Sequence, residues 1–317
     1  MEEYVFVPSG ENISNLSRIS SEFSLVIEKR ICELSEIAFC AARYAHTLIA
    51  EGMEIYEVLS LLSDCKDFSE FRVHGDALSD NASRLNSCFS SLSALDKAIF
   101  SELFVKFCNK NGDKISEKRF LRGAAVEGER FIYVKNAFSD EAYDVFSADF
   151  TDPRVKYAGD FKEAIRTVLN GDSDFCLLPI EEGGARLPSV AQLVFGSDLK
   201  ISSVTPVFGL DGSADMKYAL LSREFSIPPV NADDDRYLEL RINSELDTAL
   251  SEILSVAQYY NIEVYRVNTV GFETNDGKRF YYSIVLRDEG IDFSEFLVYL
   301  TTFVDDFTPI GIYNNLE

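Results

Sequence analysis

The chain is short of positive charge. Its 317 residues hold 30 lysines and arginines against 53 aspartates and glutamates, a net charge of −23. Such a balance argues against nucleic acid and anionic membranes as partners. It also fails to draw in a dianion, so any anion site must be built from local cations. Histidine is scarce, with only His46 and His74, which argues against a histidine-based metal site or a catalytic triad. The six cysteines (Cys32, Cys40, Cys65, Cys88, Cys108 and Cys176) show no CxxC spacing. Most fall in apolar helical patterns, as small reduced core residues do. Met1-Glu2-Glu3-Tyr4 lacks the basic start and apolar core of a secretory leader, and no apolar run is long enough to span a bilayer. The expectation is a cytoplasmic protein. With 46% hydrophobic residues there is material for real cores, and the length points to two or three domains.

What is present falls into three stretches. Residues 14–50 carry Leu16, Ile19, Phe23, Val26, Ile27, Ile31, Leu34, Ile37 and Ala41 at helical spacing, with Gly52 as a stop. A short helix over 55–62 follows, then a long one over 79–107 carrying Leu85, Phe89, Leu92, Leu95, Ile99, Leu103 and Phe107. From about residue 129 strands and helices alternate. Strands are expected over 130–134, 155–158, 175–180, 201–208 and 217–222. Helices are expected over 139–146, capped by Ser139, after Asp160, and over 189–195. This alternation fits a parallel sheet wrapped by helices. The strand over 175–180 stops at Pro179-Ile180-Glu181-Glu182. A buried strand ending on acidic groups delivers polar atoms to the carboxyl edge of a sheet, where open α/β folds bind ligands. Beyond Ile227-Pro228-Pro229 and Asp233-Asp234-Asp235, a proline-stiffened acidic linker, comes a βαββαβ pattern. Its strands span 237–242, 264–272, 280–287 and 309–313, its helices 247–260 and 292–304. Asn275-Asp276-Gly277 gives a hairpin between the middle strands. This is a ferredoxin-like arrangement.

Three short segments follow one another in a specific order: Ala137-Phe138-Ser139-Asp140-Glu141-Ala142, Pro179-Ile180-Glu181-Glu182-Gly183 and Met216-Lys217-Tyr218. In that order they resemble motifs of the prephenate dehydratase family. The region from 129 to the C-terminus resembles that family's first lobe followed by its regulatory ACT domain. The long–short–long helices before it resemble, more weakly, the helical chorismate mutase that often precedes such a dehydratase. The mutase holds its substrate with cations projecting from these helices, and Arg18, Lys29, Arg30 and Arg43 are available here. The other reading is a packing or dimerisation domain with solvated charges. The resemblance implies an α+β multidomain protein: a helical bundle over 1–125, an α/β parallel-sheet lobe of the type 2 periplasmic-binding-protein kind over 126–228, and a ferredoxin-like ACT domain over 236–317.

The motifs depart from the family's pattern. The glycine-rich turn before the first is replaced by Val134-Lys135-Asn136. Asn-Ser after the Pro-Ile-Glu becomes Glu182-Gly183, which adds a carboxylate and removes a hydroxyl. Thr-Arg-Phe becomes Met216-Lys217-Tyr218, which loses bidentate carboxylate recognition and the hydroxyl credited with aiding the leaving group. The second lobe, inserted between the last two strands in the family, is reduced here to residues 209–215. The other wall of a cleft would therefore come from the helical segment or another subunit. In the ACT-like part, Ala249-Leu250 falls where the family has Gly-Ala-Leu, and Asn268-Thr269-Val270-Gly271 where it has Glu-Ser-Arg-Pro, two motifs lining a phenylalanine site at a subunit interface. Ile310-Gly311-Ile312-Tyr313 resembles the closing Leu-Gly-Ser-Tyr.

Carried over residue by residue, the resemblance implies Lys217 and Tyr218 as catalytic groups, with Ser139, Glu181 and Arg186 as substrate-binding. It implies Ala249, Leu250, Asn268 and Thr269 as effector-binding. Lys217 and Arg186 are the cations near the lobe's functional edge, and each is read equally as a surface residue. No metal or other cofactor is implied. The partners implied are a small-molecule carboxylate or aromatic amino acid and further copies of the chain, as a homodimer or higher homo-oligomer. The expected function is that of a prephenate dehydratase-like protein tied to phenylalanine biosynthesis, degraded for dehydration and acting as a ligand-binding or regulatory relative. The alternative is an active bifunctional chorismate mutase/prephenate dehydratase, a carbon–oxygen lyase forming phenylpyruvate. A third reading is a scaffold that binds no small molecule.

Overall fold

The structure, a computed structural model, describes residues 10–64, 92–121, 128–209, 214–230, 235–245, 250–274, 277–288 and 292–316. The first helix, α1 (Gly10–Ala50), ends at Gly52, whose φ of 97° suits a residue without a Cβ. After α2 (Ile55–Asp64) comes α3 (Ala94–Asn111). The sequence pattern places the start of this last helix at 79, and residues 79–91 lie outside the described residues. The helix described begins at 94 because Ser93 and Asp96 form a reciprocal capping box there. Contacts between α1 and α3 rise in step, from Arg30 with Asp96 through Phe39 with Phe107 to His46 with Asp113, so the two run parallel. Their shared interior is apolar, built from Leu34, Ile37, Ala38, Ala41, Phe100 and Phe104 with Val58 and Leu62 of α2. No helix among the described residues is long and apolar enough to cross a membrane.

A short helix, α4 (Glu117–Leu121), leads to the α/β unit. This unit contains β1 (Arg130–Tyr133), α5 (Ala137–Ser147), β2 (Arg154–Tyr157), α6 (Phe161–Leu169), β3 (Phe175–Glu182), β4 (Ala185–Arg186), α7 (Pro188–Phe195), β5 (Lys200–Phe208) and β6 (Ala214–Ser222). The expected strands and helices are all there, but the sheet is mixed rather than parallel. Strands β2, β1 and β3 are parallel, whereas β6 runs antiparallel to both β3 and β5. The reason is the connection: a few residues between β5 and β6 turn a hairpin but cannot carry a parallel crossover. Two further expectations are corrected. The cap of α5 is Asn136, not Ser139, which sits three residues inside and bonds back to it. The strand expected over 175–180 does not stop there. It continues as strand to Glu182, and Gly183 and Gly184, both at positive φ, fold it back as a two-residue hairpin onto β4.

The last unit is β7 (Arg236–Asn243), α8 (Leu250–Tyr259), β8 (Glu263–Thr274), β9 (Gly277–Asp288), α9 (Ser294–Phe303) and β10 (Phe307–Asn314). Its strand order, β10-β7-β9-β8 with every pair antiparallel, is ferredoxin-like, and Thr274 pairs with Gly277 across the expected hairpin. It does not form a separate sheet. Strand β10 lies parallel to β5 through Gly311 and Ile201, so the ten described strands make one sheet. That sheet curls until β7, β9 and β8 face the α/β unit. Val270, Val285, Tyr237 and Tyr313 share a core with Ile180, Val190 and Val194. The opposite face of β7 and β9 packs on α8 and α9 through Leu238, Leu240, Ile284 and Leu286. Here a fully buried Arg236 joins Glu117 of α4 to Asp288 of β9. Burial pushes the Glu117 carboxyl up, opposed by the Phe293 N–H and by Arg236.

Candidate functional site

Strand alternation decides which predicted residues meet. Successive side chains of a strand point to opposite faces, and the irregularity after Pro179 puts both Ile180 and Glu181 on the side of the ferredoxin-like strands. Glu181 sits directly across from Arg186 on β4 and Lys217 on β6. Cross-strand neighbours of this kind stand about 5 Å apart at Cβ. The three form a row, and the ferredoxin-like strands lay a second row over it. Arg266 of β8 reaches Glu181 Oε1 at 2.5 Å, while Lys217 Nζ lies 3.9 Å from Oε2. Arg186 donates from Nη2 to Glu239 Oε1 of β7 at 2.5 Å. Glu239 also accepts from Ser283 Oγ at 3.3 Å and Tyr313 OH at 3.2 Å.

This seam is dry. The side chains of Arg186 and Glu239 are 6% and 0% exposed, and that of Glu181 is 9% exposed. Arg186 is not the surface cation that the sequence left open, whereas Lys217 stays half-buried at the rim. Burial works against the charged Arg266, but its contact with Glu181 outweighs this and holds the guanidinium above its ordinary range. Burial, then the charge of Glu239, pushes the Tyr313 phenol far up, so it stays a donor. The second wall, expected from the helical segment or another subunit, is supplied by strands of the same chain.

Tyr218 and Ser139 are elsewhere. Tyr218 is one residue from Lys217 and so points to the other face of the sheet, towards α5. There its OH donates to Asn136 Oδ1 at 3.4 Å, and burial raises its pKa. Ser139 is 1% exposed and spent on the cap: it accepts from Asn136 N–H at 2.8 Å and its hydroxyl faces the carbonyls of Val134 and Asn136, each at 2.9 Å. The sheet therefore separates Tyr218 and Ser139 from Glu181, Arg186 and Lys217. The expected effector group is divided as well. Asn268 faces the α/β unit with Arg266, Thr269 is exposed on the other side of β8, and Leu250 starts α8 beside the core under the helices. Ala249 lies outside the described residues.

In the helical unit, Arg30 bonds Asp96 through Nε and Nη2 at 2.9 Å each, which keeps the Asp96 carboxyl below its usual range. Lys29 lies 4.0 Å from Glu33. Arg43 borders an open cavity of about 300 Å3 with Phe39, His46, Thr47 and Asn111. The side chain of Arg18 is outside the described residues. Among the described residues no group of three or more His, Cys, Asp and Glu side chains is arranged to hold a metal ion.

Sequence reasoning missed Glu239, Arg266, Ser283 and Tyr313. A signal was present: Tyr237-Leu238-Glu239-Leu240-Arg241-Ile242 places charges at every second position of an otherwise apolar strand. In a central strand, charges at that period mean that one face meets charged or polar partners rather than a core.

No family model matches the sequence, and no curated protein matches it. Several solved structures are similar to it. Prephenate dehydratase from Streptococcus mutans is 15% identical, with 59% of this chain and 99% of that chain covered and a TM-score of 0.47. Prephenate dehydratase from Arthrobacter aurescens, in complex with L-Phe, is 13% identical over 58% of this chain and 89% of that one, with a TM-score of 0.46. A protein described as a novel type of quorum-quenching acylase is 19% identical over 59% of this chain and 95% of that one, with a TM-score of 0.45. Likenesses at this level give this chain neither an activity nor a substrate.

Proposed function

We propose that the chain is a prephenate dehydratase-like protein that binds a small carboxylate or aromatic amino acid and does not dehydrate prephenate. In this reading it consists of a helical unit to about residue 125, an α/β unit over 126–228 and an ACT-type unit over 236–317. The order of the motifs supports the family. The observation that carries the loss of dehydration is the division of the expected catalytic set by the sheet. Dehydration with decarboxylation needs cations on the carboxylates and an acid at the departing hydroxyl, together in one dry cavity. Here Lys217 and Tyr218 point to opposite faces, the Ser139 hydroxyl is spent on a helix cap, and Arg266 pairs with Glu181 from the opposite wall. An acid that is on the far side of a packed sheet from the cations cannot serve the same substrate.

The test is a proton NMR time course of prephenate, and separately of chorismate, with the full chain against a protein-free control. Traces matching the control are expected for both. Phenylpyruvate forming faster than in the control would overturn the loss of dehydration, and accelerated prephenate formation from chorismate would establish a mutase in the helical unit. Thermal unfolding with added phenylalanine or tyrosine tests the binding side, because a ligand specific to the folded state raises the midpoint.

A further inference from the structure

We infer that the seam between β4 and the ferredoxin-like strands is a binding site for a small organic carboxylate, held between Arg186 and Asn268. The inference rests on the binding reading above and gives that ligand a place.

The first ground is charge. In a chain of net charge −23, the seam gathers three cations, Arg186, Lys217 and Arg266, around two carboxylates, Glu181 and Glu239. One positive charge is left over. Arg241, two residues from Glu239 on the same face, adds to the excess, because it gives its outer nitrogens to neutral oxygens, Phe195 O and Thr308 Oγ1. Lys217 and Arg266 reach solvent, but Arg186 is 6% exposed, and an anion beside it meets the excess charge where water is scarce.

The second ground is unused donors. Arg186 spends Nη2 on Glu239, but its Nε is buried without a partner, on a side chain 6% exposed. Asn268 Nδ2 is likewise buried without a partner. The two belong to one neighbourhood. Asn268 is opposite Ser283 on the adjacent strand, Ser283 bonds Glu239, and Glu239 bonds Arg186. A buried donor left unmet costs about 1–3 kcal/mol, so two beside a surplus positive charge mark the place of an acceptor that carries negative charge. A carboxylate answers both, with one oxygen for each donor. Glu181 Oε2, which also lacks a hydrogen-bond partner, stays with Lys217 at 3.9 Å. The site lies between two units of one chain, not between copies of it.

The experiment is thermal unfolding of the full chain, titrated with sodium acetate at constant ionic strength, with chloride and inorganic phosphate as parallel arms. A saturable rise is expected with acetate, about 2 °C once acetate stands tenfold above its dissociation constant. Two variants report on the place. Asn268→Leu removes the donor and should lose the acetate response. Asn268→Asp brings a carboxylate to the donors; it should melt no lower than the parent without acetate and should not respond to it. A flat acetate titration, an equal response to chloride, a larger response to phosphate, or an acetate response kept in both variants overturns the assignment. Failure is separable from that of the parent reading: prephenate turnover bears on the loss of dehydration, and the acetate titration on the seam alone.

Discussion

Replacing Glu239 by alanine should strand a charge. The Glu239 side chain is fully buried, and it holds Arg186 at 2.5 Å while accepting from the Ser283 and Tyr313 hydroxyls. Without it the Arg186 guanidinium remains largely buried, next to Arg266 and Lys217. Breaking a buried pair from one side costs about 3–5 kcal/mol, a large share of the roughly 5–15 kcal/mol by which folded domains are stable. Removing both charges is different. Arg186→Met with Glu239→Leu replaces the pair by apolar groups of similar volume, and its effect should lie between neutral and a gain of about 1–4 kcal/mol. The chain has no tryptophan and 15 tyrosines, so urea unfolding can be followed by tyrosine fluorescence and by circular dichroism. The single variant should show a lower midpoint at unchanged slope, and the double variant should recover it. If Glu239→Ala stays within about 1 kcal/mol of the parent, or if the double variant is as weak as the single one, the seam is solvated and the reasoning fails.

Two further outcomes are expected. Gly311→Ala would place a Cβ 2.4 Å from the Ile201 carbonyl oxygen; overpacking against backbone should cost about 1–3 kcal/mol or more, and an unchanged urea midpoint would contradict the close approach of β10 to β5. Asp174 is held below its ordinary value of 3.8, first by its hydrogen bond from Arg130. An acid depressed in the folded state adds stability above its unfolded value and loses it as the pH falls through the folded one. The stability gap between the parent and Asp174→Asn should therefore be full at pH 6 and should shrink as the pH falls below about 4 towards the folded value; a gap unchanged between pH 6 and pH 2.5 would refute the pairing.

Local patterns were legible where one face of an element is apolar. The helical period of 14–50, the alternation of the α/β unit and the βαββαβ order follow from residues such as Leu34, Ile37 and Ala41 or Leu238, Leu240 and Ile242. The start of α3 was set instead by a capping box at Ser93, which a run of periodic apolar residues hides. Motif order brought Glu181, Arg186 and Lys217 into view. It could not show that Lys217 and Tyr218 serve different faces, because a motif is a string and a strand has two sides. Nor could it supply Arg266, whose meeting with Glu181 depends on how the sheet curls, a property of ten strands together rather than of any one segment.

The contact of Gly311 with Ile201 has a consequence for how a ligand would be felt. Two-lobed binding folds report a ligand by closing about a hinge. In this chain β10 closes the ferredoxin-like unit and is also paired into the α/β unit. Leu316 N–H donates to Val204 O at 2.7 Å, and Thr205 Oγ1 donates to Leu316 O at 3.0 Å. Among the described residues this pairing ties the two halves together at that edge, so a molecule taken up between them has little to swing. Its arrival would register as stiffness, in slower hydrogen exchange of the amides along β5 and β10, while the outline seen by solution scattering stayed the same.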